Sequence, residues 1–209
     1  LRFQPVIIGA TIDQQHYISG VTATQFLLET SRLSLHVPGE KNFHILYQLV
    51  VGASEAQRTE LRLKSSPNEY AYLADADTHV NDSKGSVDEE ETSLSEQFQL
   101  SLSCMSKIGF DNALISDVLR VLAGILALGN VCFTPIKEDS EECTVDDASI
   151  EALEDAKELL GWKDVDTFAN VLTCRTTSAG ANRAHGRHVR TISVQYIPLT
   201  CAQASAARD

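Results

Sequence analysis

The residues best suited to chemistry lie close together near the carboxyl end of the sequence. Arg183, Arg187 and Arg190 precede Ser193, so that the serine hydroxyl stands three places after an arginine. A basophilic kinase prefers such a site for charge reasons, and a phosphate there would find basic partners. The spacing therefore predicts phosphorylation of Ser193. The alternative is an ordinary exposed hairpin serine beside a solvated basic patch, because R-x-x-S is a common string.

Two histidines lie among these arginines. His185 and His188 form H-x-x-H, which supplies two metal ligands only if a third approaches, and no carboxylate or cysteine lies in that loop. We therefore expect no metal site. No G-x-S-x-G string occurs, and we expect His44 to be a packed, hydrogen-bonded histidine rather than a catalyst. No catalytic residue is predicted.

The basic residues need an element that presents them. Residues 174–200 contain small, then basic, then alternating residues, which favours a projecting β-hairpin. The following stretch, from Cys201 to Asp209, reads as the start of a helix. At the other end, "PVIIGATI" and "ISGVTATQFLLETSRLSLHV" are rich in β-branched residues and predict strands joined by tight turns.

Helical patterns fill most of the sequence between these strands. From Lys41 to about Gly52, apolar residues recur at helical spacing, and a short helix follows in "SEAQRTELRL". "SLSEQFQLSLSCMSKIGF" predicts an amphipathic helix that ends at Gly109, and "NALISDVLRVLAGILALGNVCF" is apolar almost all round and predicts a buried helix. A fifth helix in "SIEALEDAKELLGW" should turn Ile150, Leu153, Leu159 and Leu160 inward and end at Gly161.

Polar stretches separate the predicted helices. Ser65 to Asn68 should begin a surface loop, and Asp75 to Glu91 has the composition of an exposed linker. The acidic stretch from Glu138 to Asp147 is predicted to be another loop.

Composition limits the class of protein. The 209 residues carry a net charge of −12 with a pI near 4.9, which argues against a general nucleic-acid or anionic-membrane binder. No signal peptide is evident, and we expect no membrane span because no apolar run approaches the required ~18 residues. Five widely spaced cysteines without C-x-x-C favour a reducing, cytoplasmic setting.

Six strings occur in a revealing order. These are "FLLETSRL…PGEKNFHILYQLVVGAS", "YAYL", "MSKIGF", "VLAGILALGNVCF", "ALEDAKELLGW" and "YIPLTCAQASAARD". Together, across about Ile18 to Asp209, they resemble the myosin motor domain from its central sheet through the upper actin-binding lobe. The resemblance implies an α/β, predominantly helical fragment of a P-loop motor domain. It places sheet and transducer strands in residues 1–37, a helical lobe in 38–173, and an actin-facing hairpin loop with the start of the next helix in 174–209.

The resemblance implies an actin-based, ATP-driven motor of the cytoskeleton. The phosphate loop G-x-x-x-x-G-K-[ST] and the D-x-x-G-F-E type of second switch do not occur in this sequence, so ATP and Mg²⁺ would belong to the complete motor. Arg2 matches the arginine of the family's first switch, S-R-F-G-K, although Gln4 and Pro5 depart from it. The alternative is that Arg2 is a terminal residue without this role.

The same resemblance gives Ser193 a place on the actin-facing loop. Asp209 matches the aspartate of the family's D-A-L-A-K motif, and counting back sixteen positions leads to Ser193. In myosins this position is acidic or carries a phosphorylatable hydroxyl, and the serine favours class I and related amoeboid myosins. The implied partners are F-actin, the remainder of the motor and a basophilic kinase. The alternative function is a catalytically inactive actin-binding or protein-interaction module derived from a myosin lobe.

Overall fold

The computed structural model describes residues 7–12, 18–24, 32–34, 41–74, 87–138, 140–179 and 193–209. The chain divides into two compact units, Leu1–Leu35 and His36–Asp209. In the first unit, β1 (Ile7–Ile12) and β2 (Ile18–Thr24) pair antiparallel, from Ile7 opposite Thr24 to Ile12 opposite Ile18. Each of the two segments predicted to contain strands therefore has a described strand, and residues 32–34 form a turn.

The second unit is predominantly helical. Its strands form two antiparallel pairs: β3 (Phe133–Pro135) with β4 (Cys143–Val145), and β5 (Cys174–Ala179) with β6 (Ser193–Pro198). Single 3-10 turns cover Pro67–Glu69 and Asp147–Ser149. Its helices are α1 (His44–Gly52), α2 (Glu55–Glu60), α3 (Val87–Lys107), α4 (Asn112–Gly129), α5 (Ile150–Leu159), α6 (Val165–Thr173) and α7 (Cys201–Arg208).

Local signals in the sequence account for several helix ends. Ser54 begins α2 with a capping box, in which its side chain accepts from the Gln57 amide and the Gln57 side chain accepts from the Ser54 amide. Asp111 begins α4 by accepting a hydrogen bond from the Leu114 amide at 2.8 Å. Gly109 and Gly161, which the sequence predicted as helix stops, lie just after α3 and α5 and adopt positive φ angles of 103° and 77°.

The core of the second unit lies where α1, α3, α4, α5 and α6 meet. Leu49, Phe98 and Ala156 are completely buried there, and the apolar faces of the helices bring them together. The contact between α1 and α3 is close because Gly52 has no side chain. A Cβ at Gly52 would lie 2.6 Å from the Cβ of Phe98.

Two segments predicted as loops contain regular structure. The linker prediction is wrong for Val87 to Glu91, which form the first turns of α3. The loop prediction for Glu138 to Asp147 is wrong at Cys143–Val145, which pair with Phe133–Pro135. A three-residue strand has too little local pattern to be recognised, because its partner lies elsewhere in the chain.

The predicted burial of individual residues also needs correction. The stretch after Asn68 is not simply a surface loop, since Tyr70, Tyr72 and Leu73 are at most 3% exposed. His44 is exposed at the start of α1 rather than packed. Ile150 is 42% exposed, because it begins α5 at the edge of the core.

Helix α4 is less enclosed than its sequence predicts. Leu119, Ala123 and Leu126 face the core, but Leu114 and Val121 are 46% and 48% exposed. With 18 residues and a mean hydropathy of 1.6, α4 is long and apolar enough to cross a membrane, contrary to the expectation from the sequence. The buried core helix of a soluble protein satisfies the same criterion, so this is weak evidence for a span.

Candidate functional site

The β5–β6 pair, which we call the ribbon, is connected to the helical unit at two points. Strand β5 continues directly from α6, while β6 reaches α7 after only Leu199 and Thr200. The Leu199 amide donates to the Thr173 carbonyl at 2.8 Å, and the Cys143 amide donates to the Leu199 carbonyl at 3.1 Å. The hairpin predicted from the sequence is therefore present as a paired ribbon with a hydrogen-bonded base.

The predicted site residues are only partly covered by the structure. The backbone of Ser193 begins β6 and pairs with Ala179, at the end of the described ribbon farthest from the helices. Arg2, Arg183, Arg187 and Arg190 lie outside the described residues. Ser193 is thus placed on the ribbon, and its relation to the arginines stays a prediction.

A groove of about 600 Å³ lies at the base of the ribbon, between α6, the two strands and α7. Val171 and Tyr196 line it and are 52% and 67% exposed. Arg175 and Asn170 also line it, so that the groove combines apolar surface with polar groups.

The end of α7 is held to the end of α4 by a charged side chain. Arg208 Nη1 donates to the carbonyls of Val131 and Gly129, at 2.8 and 3.3 Å. One carbonyl belongs to the last residue of α4 and the other lies two residues beyond it, where a cation complements the negative end of the helix dipole. Asp209 Oδ1 accepts from Arg208 Nη2 at 2.6 Å, so that the arginine charge is balanced locally.

Tyr72 joins the same group of contacts. Its hydroxyl donates to Asp209 Oδ1 at 2.9 Å, and the Arg208 guanidinium lies 5.8 Å from the centre of its ring. Burial, together with the hydrogen bond to Asp209, raises the pKa of Tyr72 to about 12, so the phenol remains a donor at neutral pH. Its carbonyl accepts from Asn42 Nδ2 at 3.1 Å. We call Tyr72, Arg208 and Asp209 the latch.

Sequence reasoning did not find the latch. In the sequence analysis, Asp209 was used only as the reference position for locating Ser193. No residue pattern near Tyr72 predicts that its side chain makes a structural hydrogen bond. A weak sequence signal for these contacts is Asn130, a polar residue that directly follows the apolar helix α4. Its side chain accepts from the Ala71 amide at 2.7 Å and donates to the Glu69 carbonyl at 2.8 Å, fastening the segment that carries Tyr72.

Three cysteines that are far apart in sequence come together beneath the ribbon. Cys143 is buried in a small cluster with Leu199 and Ala204, against which Cys201 packs. Burial raises the pKa of the Cys143 thiol, and the neighbouring thiols of Cys201 and Cys174 contribute to the rise. The cysteines of the described structure are all free.

The described residues do not fit a nucleotide and its magnesium ion. Among them no group of three His, Cys, Asp or Glu side chains could hold a metal. Asp111 and Asp164 occupy the N-caps of α4 and α6, where their carboxylates would repel a phosphate. We therefore assign no step of ATP chemistry to this part of the chain.

The described residues thus comprise a mostly helical unit with an antiparallel ribbon and, earlier in the chain, an antiparallel strand pair. Residues 6–209 match the family described as Myosin head (motor domain). The chain belongs to this family.

Individual relatives agree with this assignment. The myosin ID heavy chain of Dictyostelium discoideum is 35% identical over 190 residues, which cover 91% of this chain and 16% of the relative. Human unconventional myosin-VI is 31% identical over 215 residues, covering 94% of this chain and 16% of the relative. The myosin IB heavy chain of Dictyostelium discoideum is 33% identical over 184 residues, covering 88% and 15%. This chain spans about a sixth of the length of these relatives.

Proposed function

We propose that this chain is part of an actin-based, ATP-driven motor, to which it contributes an actin-binding lobe. The observation that carries the proposal is the match to the myosin head family over residues 6–209. F-actin and the remainder of the motor are then its partners, and the cytoplasm and cytoskeleton its location. Its physical task is to hold the ribbon on a packed helical unit, so that binding at the ribbon can bias the packing of the whole lobe.

The nucleotide belongs to other parts of this motor. ATP and Mg²⁺ need a phosphate loop in the P-loop fold, and its string does not occur in this sequence. Arg2, as the arginine of a first switch, is the one residue of this chain that we assign to the nucleotide. The strand pair β1–β2 belongs to the sheet that couples the nucleotide site to the lobe.

The actin-facing site comprises Arg183, Arg187, Arg190 and Ser193. Phosphorylation of Ser193 by a basophilic kinase adds nearly two negative charges beside the three arginines. The phosphate folds the loop onto its own arginines or pairs with basic groups on the filament, and either contact changes how the loop docks. ATP hydrolysis is not altered directly, because its groups lie elsewhere.

The experiment uses a complete motor that carries this chain and compares Ser193→Ala with Ser193→Glu. Ser193→Ala should lower actin-activated turnover about 3-fold or more with little change in basal turnover, and Ser193→Glu should largely restore it. Thr191→Ala removes a neighbouring hydroxyl and is the matched control. Equal actin activation in the kinase-treated wild type and both variants would contradict the role of Ser193. Actin binding without ATP turnover in the longest expressed product would instead favour an inactive interaction module.

A further inference from the structure

We propose that the latch of Tyr72, Arg208 and Asp209 positions the ribbon on the helical unit, so that these residues are positioning residues for actin binding. The proposal rests on the proposed function for its actin part. The structural part of the proposal is that the latch fixes the position of the ribbon base, and it depends only on the contacts described above.

The two helices that attach the ribbon, α6 and α7, differ in how many side chains they bury. On the β5 side, α6 anchors in the core through Phe168 and Leu172, which are 3% and 5% exposed. On the β6 side, α7 has a single buried residue, Ala204. One small apolar side chain contributes little burial energy, so polar contacts must supply much of what fixes α7.

The latch supplies those contacts at the end of α7 away from the ribbon. Arg208 reaches two carbonyls at and just after the end of α4, and Asp209 receives hydrogen bonds from both Arg208 and Tyr72. The side chains of Arg208 and Asp209 are 15% and 25% exposed, so the pair is partly withdrawn from water. With its end fixed to α4, α7 adds a further constraint on Leu199 at the base of the ribbon, beside the backbone hydrogen bonds of Leu199 to Thr173 and Cys143.

Tyr72 itself is held rigidly. Its ring lies against Gly129, where a Cβ would approach the ring to 2.5 Å, and its carbonyl is bonded to Asn42. A rigid donor fixes the direction of the Asp209 carboxylate. Loss of the hydroxyl would therefore loosen the latch without removing the ring from the core.

A pair of tyrosines in the chain provides a matched test. Tyr72 and Tyr70 are 3% and 2% exposed, and each hydroxyl makes a hydrogen bond. Only the Tyr72 bond reaches α7, since Tyr70 accepts from the Lys64 amide at 2.7 Å. Tyr72→Phe and Tyr70→Phe each delete one buried hydroxyl, and their costs in stability should be similar.

The first measurement is hydrogen exchange in the longest soluble product that carries the chain. Tyr72→Phe should speed exchange of α7 and of β6 about 3- to 10-fold relative to the core of α4, whereas Tyr70→Phe should not. Asp209→Asn should give a similar increase, and the double variant Tyr72→Phe/Asp209→Asn should add little more, because both act on one contact. Equal exchange of α7 in the two tyrosine variants would overturn the latch.

The second measurement separates the latch from the proposed function. In a complete motor carrying the chain, Tyr72→Phe should weaken actin affinity about 3-fold or more while basal ATP turnover and the Tyr70→Phe control stay near wild type. Unchanged actin affinity despite faster exchange would overturn the positioning role. A wild-type motor that does not bind actin would overturn the proposed function, and the exchange result would still decide whether the latch holds the ribbon.

Discussion

Single residues acquire distinct chemistry from where the fold places them. Cys104 and Cys132 are exposed, whereas Cys143 is buried and has a raised pKa because its surroundings disfavour the thiolate. Only the thiolate is a good nucleophile, so the same side chain differs in reactivity by position. The latch shows the same effect for Tyr72, whose phenol stays protonated.

Alkylation should reveal this difference in the folded chain. With iodoacetamide at neutral pH, Cys104 and Cys132 should be modified at least about 10-fold faster than Cys143, since Cys143 combines burial with a raised pKa. Peptide mapping by mass spectrometry after timed quenching measures each rate, and Cys104→Ser removes one fast site as a control. Denaturant should make the rates similar. Modification of Cys143 as fast as Cys132 in the native chain would contradict its burial.

Helices in this chain approach one another closely where a side chain is missing. Gly52 on α1 faces the Cβ of Phe98 on α3, while Gly124 on α4 faces the side chain of Leu160 just after α5. A Cβ next to the root of a buried ring leaves no room for movement, whereas the leucine side chain has rotamers that can adjust.

Adding one methyl group at each glycine should separate the two situations. Gly52→Ala should lower the free energy of unfolding by about 1–3 kcal/mol through overpacking against Phe98. Gly124→Ala should cost less, because alanine's helix propensity, about 1 kcal/mol better than glycine's, offsets part of the clash. Urea unfolding followed by circular dichroism measures both. A larger loss for Gly124→Ala than for Gly52→Ala would contradict this account.

In the part of the chain that the structure describes, the helical unit leaves an apolar stripe uncovered along α4. Leu114, Val118, Val121 and Ile125 share one face of the helix, and Leu114 and Val121 are nearly half exposed. The opposite face, with Leu119 and Leu126, is in the core. A contiguous apolar surface of this kind favours association, so the unit expressed alone should be poorly behaved in solution.

Charge substitutions on the two faces should have opposite consequences. Val121→Lys should change the free energy of unfolding by no more than about 0.5 kcal/mol and reduce binding of a dye specific for apolar surfaces. Leu119→Lys, two positions earlier, should cost more than about 3 kcal/mol, because it buries an unpaired charge. Urea unfolding and dye fluorescence of the chain expressed alone provide the measurements. Reversible melting of the wild type as a monomer without dye binding would argue against an uncovered stripe.

Much of the helical architecture could be predicted from local pattern. Three predicted features depend on neighbours in sequence, and each is present. They are the helix from the region of Lys41 to Gly52, the helix stops at Gly109 and Gly161, and the β5–β6 ribbon. The predictions that failed concern residues whose structural partners lie far away in the sequence. Cys143–Val145 is a strand because Phe133–Pro135 lies beside it, and Tyr72 is buried because α4 ends above it.

The order of motifs was sufficient to assign the myosin head family, since six strings in family order carry that information without any coordinates. The hairpin that contains Ser193 was also predicted from residue types. The latch, the cluster of three thiols and the exposed face of α4 were decided by tertiary structure. Each depends on which surfaces meet in space, and packing between segments distant in sequence is a property that periodicity and spacing along one chain do not encode.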